Sequence, residues 1–324
     1  MDFGKSIFTS VESILPIILL ISFGFYLRRK KYFGDGFSKD ITRFLINIGL
    51  PASVFVSLLK YISKDELFRL SRGLLFTIPS FVILYGFAFA AAFLLKVPRG
   101  RRAVLINSIV NGNTVFIGFP LNLAFFGEEV LPYFLVYYLT STISTWGIGA
   151  TLIALDNPEN TKEKGMKLNW KKLIPMPLIA MLIAIAFVML EWQLPKFATS
   201  TLSYIGSTVT PFSLLYIGIA LSDAGLGSIK IERDVLIVLF GKFVLAPLVM
   251  ATVVLGLGKV IEPLPTLAMN SYVVQSSAPV FASLTILAHE AKSDDRFATC
   301  VITLSTFLFV FVAPIVMAIV EKLG

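Results

Sequence analysis

Two short clusters of polar residues interrupt long apolar runs in this chain, and their chemistry is that of ligand binding. The first is Asn111-Gly112-Asn113-Thr114, followed closely by Gly118 and Pro120. The second is Gln275-Ser276-Ser277-Ala278-Pro279. Amides and hydroxyls at such sites replace the water around an anion without trapping it by opposite charge. The same neutral oxygens, with free backbone carbonyls, also suit a sodium ion. A third reading is packing, with Asn and Thr as hydrogen-bonding glue between helices. Acid–base or covalent catalysis has no support: His289 is the single histidine, and the apolar runs hold no acidic pair and no nucleophile motif. No cofactor is implied, and the one cysteine, Cys300, excludes an internal disulfide and a cysteine-rich metal site.

These residues need an unusual backbone to act. The first cluster lies inside an apolar run over 103–126, long enough to cross a bilayer. A spanning helix satisfies its own backbone because lipid offers no partners. Pro120 lacks an N–H, and Gly112 and Gly118 tolerate backbone angles that other residues avoid. The run is therefore expected to break at membrane depth, which is tolerated where protein buries the break or water reaches it. The exposed half-helix ends then form an ion or substrate site.

The composition agrees with a membrane setting. Hydrophobic residues make up 56% of the chain and charged residues 15%, against about 25% in ordinary soluble domains. Mean hydropathy is +0.83. The runs approach or exceed 18 residues, which favours helices over the alternating strands of a barrel. The net charge of +8 does not indicate nucleic acid, because the basic residues sit in short loops between apolar runs. The first run, Phe8 to Leu27, is too long for a signal-peptide core, and its positive cluster follows it. Thr9 and Glu12 have capping-box spacing, so Glu12 is read as a helix cap.

Ten spans are expected: Phe8 to Leu27, Ile41 to Leu59, Leu74 to Leu95, the broken 103–126, Leu131 to Ile153, Leu173 to Leu190, Ala198 to Leu221, Val235 to Leu257, Leu267 to Leu287 and Phe297 to Val320. The halves resemble each other. Pro16, Pro51 and Pro79 have counterparts in Pro175, Pro211 and Pro247, at an offset of about 160 residues. The fourth span then corresponds to the ninth, which carries the second cluster. The fold class expected is an all-α membrane protein of two inverted five-helix repeats, with helices four and nine broken. Residues 1–153 form the first repeat, 154–172 a charged loop and 173–324 the second repeat.

The charge of the loops sets the expected orientation. Alternate loops collect 19 of the 28 basic residues on one side, among them Arg28 to Lys31, Arg99 to Arg102 and Lys162 to Lys172. The richer side is cytoplasmic, which places both termini outside and the chain in the cell membrane. Lys60, Lys64, Arg69 and Arg72 fall on the opposite side and run against the rule.

In span order, repeat order and the central charged loop, the whole chain resembles the auxin efflux carrier family. Asn111-Gly112-Asn113-Thr114 is similar to the Asn-Pro-Asn-Thr motif of the plant carriers, with Gly112 in the place of proline. Pro279 matches the first proline of the family's ninth-span crossover, and Ser283 lies where a second is absent. The resemblance implies a fold shared with bile-acid symporters and sodium–proton antiporters. Spans one, two, six and seven would form a scaffold able to dimerise, and the others a moving transport domain. It also implies secondary or facilitative transport of a small organic anion, auxin-like or a dicarboxylate, by an elevator-type movement, with sodium-coupled symport or a non-transporting receptor as alternatives.

The candidate substrate contacts are then Asn111, Gly112, Asn113, Thr114, Gln275, Ser276, Ser277 and Pro279, with two additions. Lys242 is the one basic residue well inside a span, roughly 10 Å deep at 1.5 Å per residue. It either serves as counter-charge to an anion or snorkels back to the interface. Tyr137 precedes the polar run of span five and either faces the cavity or anchors an interface. In that run Ser141, Thr145 and Gly149 recur every fourth residue, which reads as a small-residue packing stripe.

Overall fold

The structure is a computed structural model that describes residues 3–34, 36–156, 176–224 and 231–323. The loop expected over 154–172 and Pro175 lie almost wholly outside the described residues. Among those residues the regular structure is helical, and no strand extends beyond one isolated bridge. Helix α1 is Phe3–Arg29. It is followed by α2 (Phe37–Tyr61), the short amphipathic α3 (Lys64–Ser71) and α4 (Leu74–Leu94). Next come α5 (Arg102–Val110) and α6 (Thr114–Phe126), then α7 over 131–155. After the charged loop come α8 (Met176–Met189), α9 (Lys196–Asp223) and α10 (Arg233–Leu257). The chain closes with α11 (Thr266–Ser276), α12 (Leu284–Glu290) and α13 (Asp295–Leu323).

Five of these helices are long and apolar enough to cross a membrane: α2, α4, α9, α10 and a stretch of α13, while α6 and α8 are shorter apolar helices. Helix α1 does not begin at the expected cap. Its first turn is formed from Phe3, so Thr9 and Glu12 fall inside an existing helix.

Prolines shape three of the helices by a common mechanism. Pro51, Pro120 and Pro247 each follow a widened five-residue turn, at Leu45–Gly49, Thr114–Gly118 and Gly241–Leu245. A proline cannot bond the carbonyl four residues back, and its ring pushes against it. Those carbonyls belong to Asn47, Phe116 and Phe243, all within the widened turns, which make room for them.

Packing divides the buried side chains into three apolar clusters. The largest joins α4, α5, α7, α10, α11 and α13 through Phe76, Val104, Tyr137, Val238, Tyr272 and Val301. A second joins α2, α6, α7 and α8 through Val54, Phe119, Leu135 and Met181. A third, with Ile117, Leu214 and Phe309, ties α6 to α9 and α13. Large apolar side chains such as Val82, Leu94, Leu248 and Phe311 remain exposed. Lipid is as apolar as these groups, so close fit between helices, more than removal from water, selects the buried faces.

The fit is tightest between α1 and α9. A Cβ on Gly24 would strike the Leu215 carbonyl, and one on Gly218 would strike the Ile21 carbonyl and reach 2.6 Å from the Phe25 nitrogen. Only hydrogen at both positions lets these backbones meet. At one end of the larger cluster, Arg101 joins three segments, bonding Asp294 and Glu232 at 2.7 Å each and Asp234 at 3.4 Å. Burial opposes the guanidinium's charge there, but the hydrogen-bonded Asp294 and Glu232 outweigh it and raise its pKa.

Candidate functional site

The apolar run over 103–126 is two helices. Helix α5 ends at Val110, and Asn111 turns extended at φ −96° and ψ 135°. Asn113 starts α6, its side-chain oxygen accepting the Phe116 N–H at 3.1 Å, as a helix N-cap does. The other cluster breaks in the same manner. Helix α11 ends at Ser276, and the chain does not return to helix until Leu284. The Ser276 and Ser277 hydroxyls donate to the Val273 and Val274 carbonyls at 2.7 Å, adding side-chain donors to carbonyls of the last helical turn.

The two breaks cross. Gly112 pairs with Val280 in an isolated antiparallel bridge, and the Asn113 N–H donates to the Pro279 carbonyl at 2.6 Å. A Cβ on Gly112 would lie 3.0 Å from both the Ala278 carbonyl oxygen and Lys242 Nζ. Glycine is what allows the two extended strands to approach this closely.

Beside the crossing lies a cavity of about 300 Å³. It is lined by Gly112 to Phe116 from the first break, by Phe281, Ala282 and Ser283 from the second, and by Ile46 and Pro177. Helix α7 supplies Tyr138, Ser141, Thr142, Thr145 and Trp146. None of the lining residues is ionisable as an acid or a base near neutrality. The N-terminal end of α6 adds partial positive charge at this wall, although the Asn113, Thr114 and Phe116 N–H groups already have acceptors in Pro279, Gly112 and the Asn113 side chain.

Of the residues singled out in the sequence, Gly112, Asn113 and Thr114 line the cavity. Asn111 does not. It is fully buried in a hydrogen-bonded chain behind the wall. The Ser144 hydroxyl donates to Asn111 Oδ1 at 2.7 Å, Asn111 Nδ2 donates to Asn107 Oδ1 at 2.9 Å, and Asn107 Nδ2 donates to the Gly149 carbonyl at 3.1 Å. Tyr85 closes the chain, its hydroxyl 2.9 Å from that of Ser144. Ser276, Ser277 and Pro279 serve the backbone of the crossing. Gln275 is buried against Gly118 and does not line the cavity.

Lys242 is wholly buried, with Nζ 3.5 Å from the Ile109 carbonyl at the C-terminal end of α5. It therefore does not snorkel. It sits behind Gly112, one residue's thickness from the cavity. Tyr137 is 2% exposed and packs between Phe81 and Tyr272, with ring centroids at 5.4 and 6.3 Å. Its neighbour Tyr138 lines the cavity instead. The stripe of Ser141 and Thr145 also faces the cavity, which sequence reasoning had assigned to packing. Its four-residue recurrence marks one helix face and does not say what that face meets.

Apolar helices that break beside a neutral polar cavity are an arrangement that membrane transport proteins use for their binding sites. Family comparison agrees. The chain belongs to the membrane transport protein family, the auxin efflux carrier type, whose family model matches residues 9–317. An uncharacterized transporter of Methanothermobacter thermautotrophicus is 23% identical over 323 residues, covering 94% of this chain and 97% of its own. The uncharacterized transporter YfdV of Escherichia coli K12 is 21% identical over 313 residues, covering 94% and 96%. An uncharacterized transporter of Methanocaldococcus jannaschii is 23% identical over 222 residues, covering 67% and 70%.

Proposed function

We propose that this protein is a secondary or facilitative carrier of small organic anions, carboxylates of auxin-like or dicarboxylate size. The observation that carries the reading is the convergence on one cavity of about 300 Å³ of Asn113, Thr114, the α6 N-terminus and the α7 hydroxyls. Neutral donors and a helix N-terminus favour an anion, and without a fixed opposite charge in the wall they also release it. The Lys242 amine lies just behind Gly112 in that wall, and Asn111, through its buried chain, holds the wall in place.

The movement we propose is an elevator-type shift. Helices α4 to α7 and α10 to α13 travel as one body against a scaffold of α1, α2, α8 and α9. The large apolar cluster that joins α4, α5, α7, α10, α11 and α13 supports a single moving body. The backbone-close pairing of α1 with α9 supports a stiff scaffold, through which a homodimer is proposed to form. The ten-span inverted repeat and a cell-membrane location with both termini outside belong to the same proposal, supported by the charge of the loops.

The test is uptake by purified protein in sealed vesicles, with a panel of labelled mono- and dicarboxylates. Saturable uptake of at least one acid, competed by its relatives, is expected. Binding without flux favours a receptor. Neither binding nor flux across the panel removes the anion reading.

A further inference from the structure

Between α6 and α11, outside the cavity lining, a set of buried polar atoms has no hydrogen-bond partner. These are Asn122 Oδ1, Ser271 Oγ, Gln275 Oε1 and Gln275 Nε2. All three residues are 0% exposed. Buried polar atoms are almost always bonded, and each one left unpaired is costly. Several orphans in one place therefore ask for a ligand.

Geometry puts them in one seam. Helices α6 and α11 pack against each other. The Gly112–Val280 bridge is antiparallel, and Gly118 meets the Gln275 carboxamide further along in the same register. Continuing one helical turn in that register sets Asn122 level with Ser271. Residues four apart share a helix face, so Gly118 and Asn122 oppose Gln275 and Ser271. Asn122 is already oriented, since its Nδ2 donates to the Gly118 carbonyl at 2.9 Å. Its oxygen is the atom left free.

The seam is an oxygen site without an acid or a base. Helices α6 and α11 contain no Asp, Glu, Lys, Arg or His. Two amide oxygens and a hydroxyl form a hard, neutral donor set. Divalent ions favour carboxylates, which are absent. The C-terminal end of α11, at Gln275 and Ser276, adds partial negative charge. We propose that this seam binds a monovalent alkali cation of the sodium class, held by Asn122 Oδ1, Ser271 Oγ and Gln275 Oε1. A cation in the seam and an anion in the cavity would attract. That attraction would couple their binding, reciprocally for the two ligands. The cation site itself does not depend on the anion reading.

The experiment uses the full chain without any organic acid. Its melting temperature is measured in choline chloride and in sodium, lithium or potassium chloride at equal ionic strength. An alkali cation at about ten times its Kd is expected to raise the melting temperature by about 3–6 °C over choline. Ser271→Ala and Asn122→Leu remove orphaned atoms, so in choline they are expected to melt at or above the parent. In sodium they are expected to show no further rise. Ser271→Ala, the smaller change, keeps the test open if Asn122→Leu does not fold. Equal melting of the parent in every salt overturns the proposal and leaves the seam to water. A full sodium shift retained in Ser271→Ala overturns the assignment to this seam. Since no acid is present, anion flux in the vesicle assay stands or falls separately.

Discussion

Gly112 and Val280 lie 168 positions apart in the sequence, yet they pair as neighbouring strands at the point where both broken helices cross. The bridge turns two local faults into one site. It fixes Asn113 over the cavity and lets the Pro279 carbonyl take the Asn113 N–H, a backbone donor that lipid would leave unpaired.

Asn113 has two tasks that one substitution separates. Its side-chain oxygen caps α6, and its side chain faces the cavity. Asn113→Asp keeps an oxygen for the cap but sets a negative charge against an anion. It should melt within a few degrees of the parent while losing at least about tenfold in carboxylate affinity, or 1.4 kcal/mol. Isothermal titration beside a melting curve checks both. Unchanged affinity would take Asn113 out of the site.

Lys242 gives a contrasting pattern. Among the described residues its one hydrogen bond, to the Ile109 carbonyl, is long, and no acid bonds it. Replacing a poorly paired buried lysine by an apolar chain of similar shape is often neutral or stabilising. Lys242→Met is therefore expected to melt at or above the parent but to bind anion about tenfold or more weakly. Equal affinities in the two proteins would show that the lysine plays no part in binding.

Ser144 tests the chain behind the wall. Ser144→Ala leaves Asn111 Oδ1 and the Tyr85 hydroxyl without their shared partner. A loss of stability of about 1–3 kcal/mol is expected, with a smaller effect on binding than Asn113→Asp. Adding Tyr85→Phe removes a hydroxyl left with only two long contacts, to the Ser144 carbonyl and Asn111 Nδ2 at 3.4 Å each, so the double variant should lose less than the sum of the single changes. Strict additivity in denaturation would argue that the chain is not coupled.

Gly218→Ala probes the α1–α9 contact. The new methyl would press on the Ile21 carbonyl and the Phe25 nitrogen, both backbone atoms that no rotamer change can move aside. A loss of about 1–3 kcal/mol or more is expected, a fall of about 2–4 °C in melting temperature for each kcal/mol. Gly256→Ala is the control, since nothing lies within 4 Å of its added carbon. Similar melting of both variants would mean that the helices separate at little cost.

Local chemistry determined where the helices break. Asn111 to Asn113 and the stretch after Ser276 combine poor helix formers with residues that cap helix ends, and such preferences act within a turn or two of chain. The positions of the apolar helices were legible for a similar reason, because length and hydropathy are properties of one segment. Which side chain faces the cavity was not. Asn111 and Asn113 are equally polar and two residues apart, yet one joins Asn107 and Ser144 in the core while the other lines the cavity. Tyr137 and Tyr138 divide in the same way, and Ser141 and Thr145 face the cavity despite their packing-like spacing. In a soluble protein, polar residues mark the outer face of a helix. Within a bilayer both lipid and core are apolar, so the pattern along one helix does not say which face meets a neighbour. That is set by helices distant in the chain, as when Lys242 finds the Ile109 carbonyl 133 residues away, and only the tertiary structure decides it.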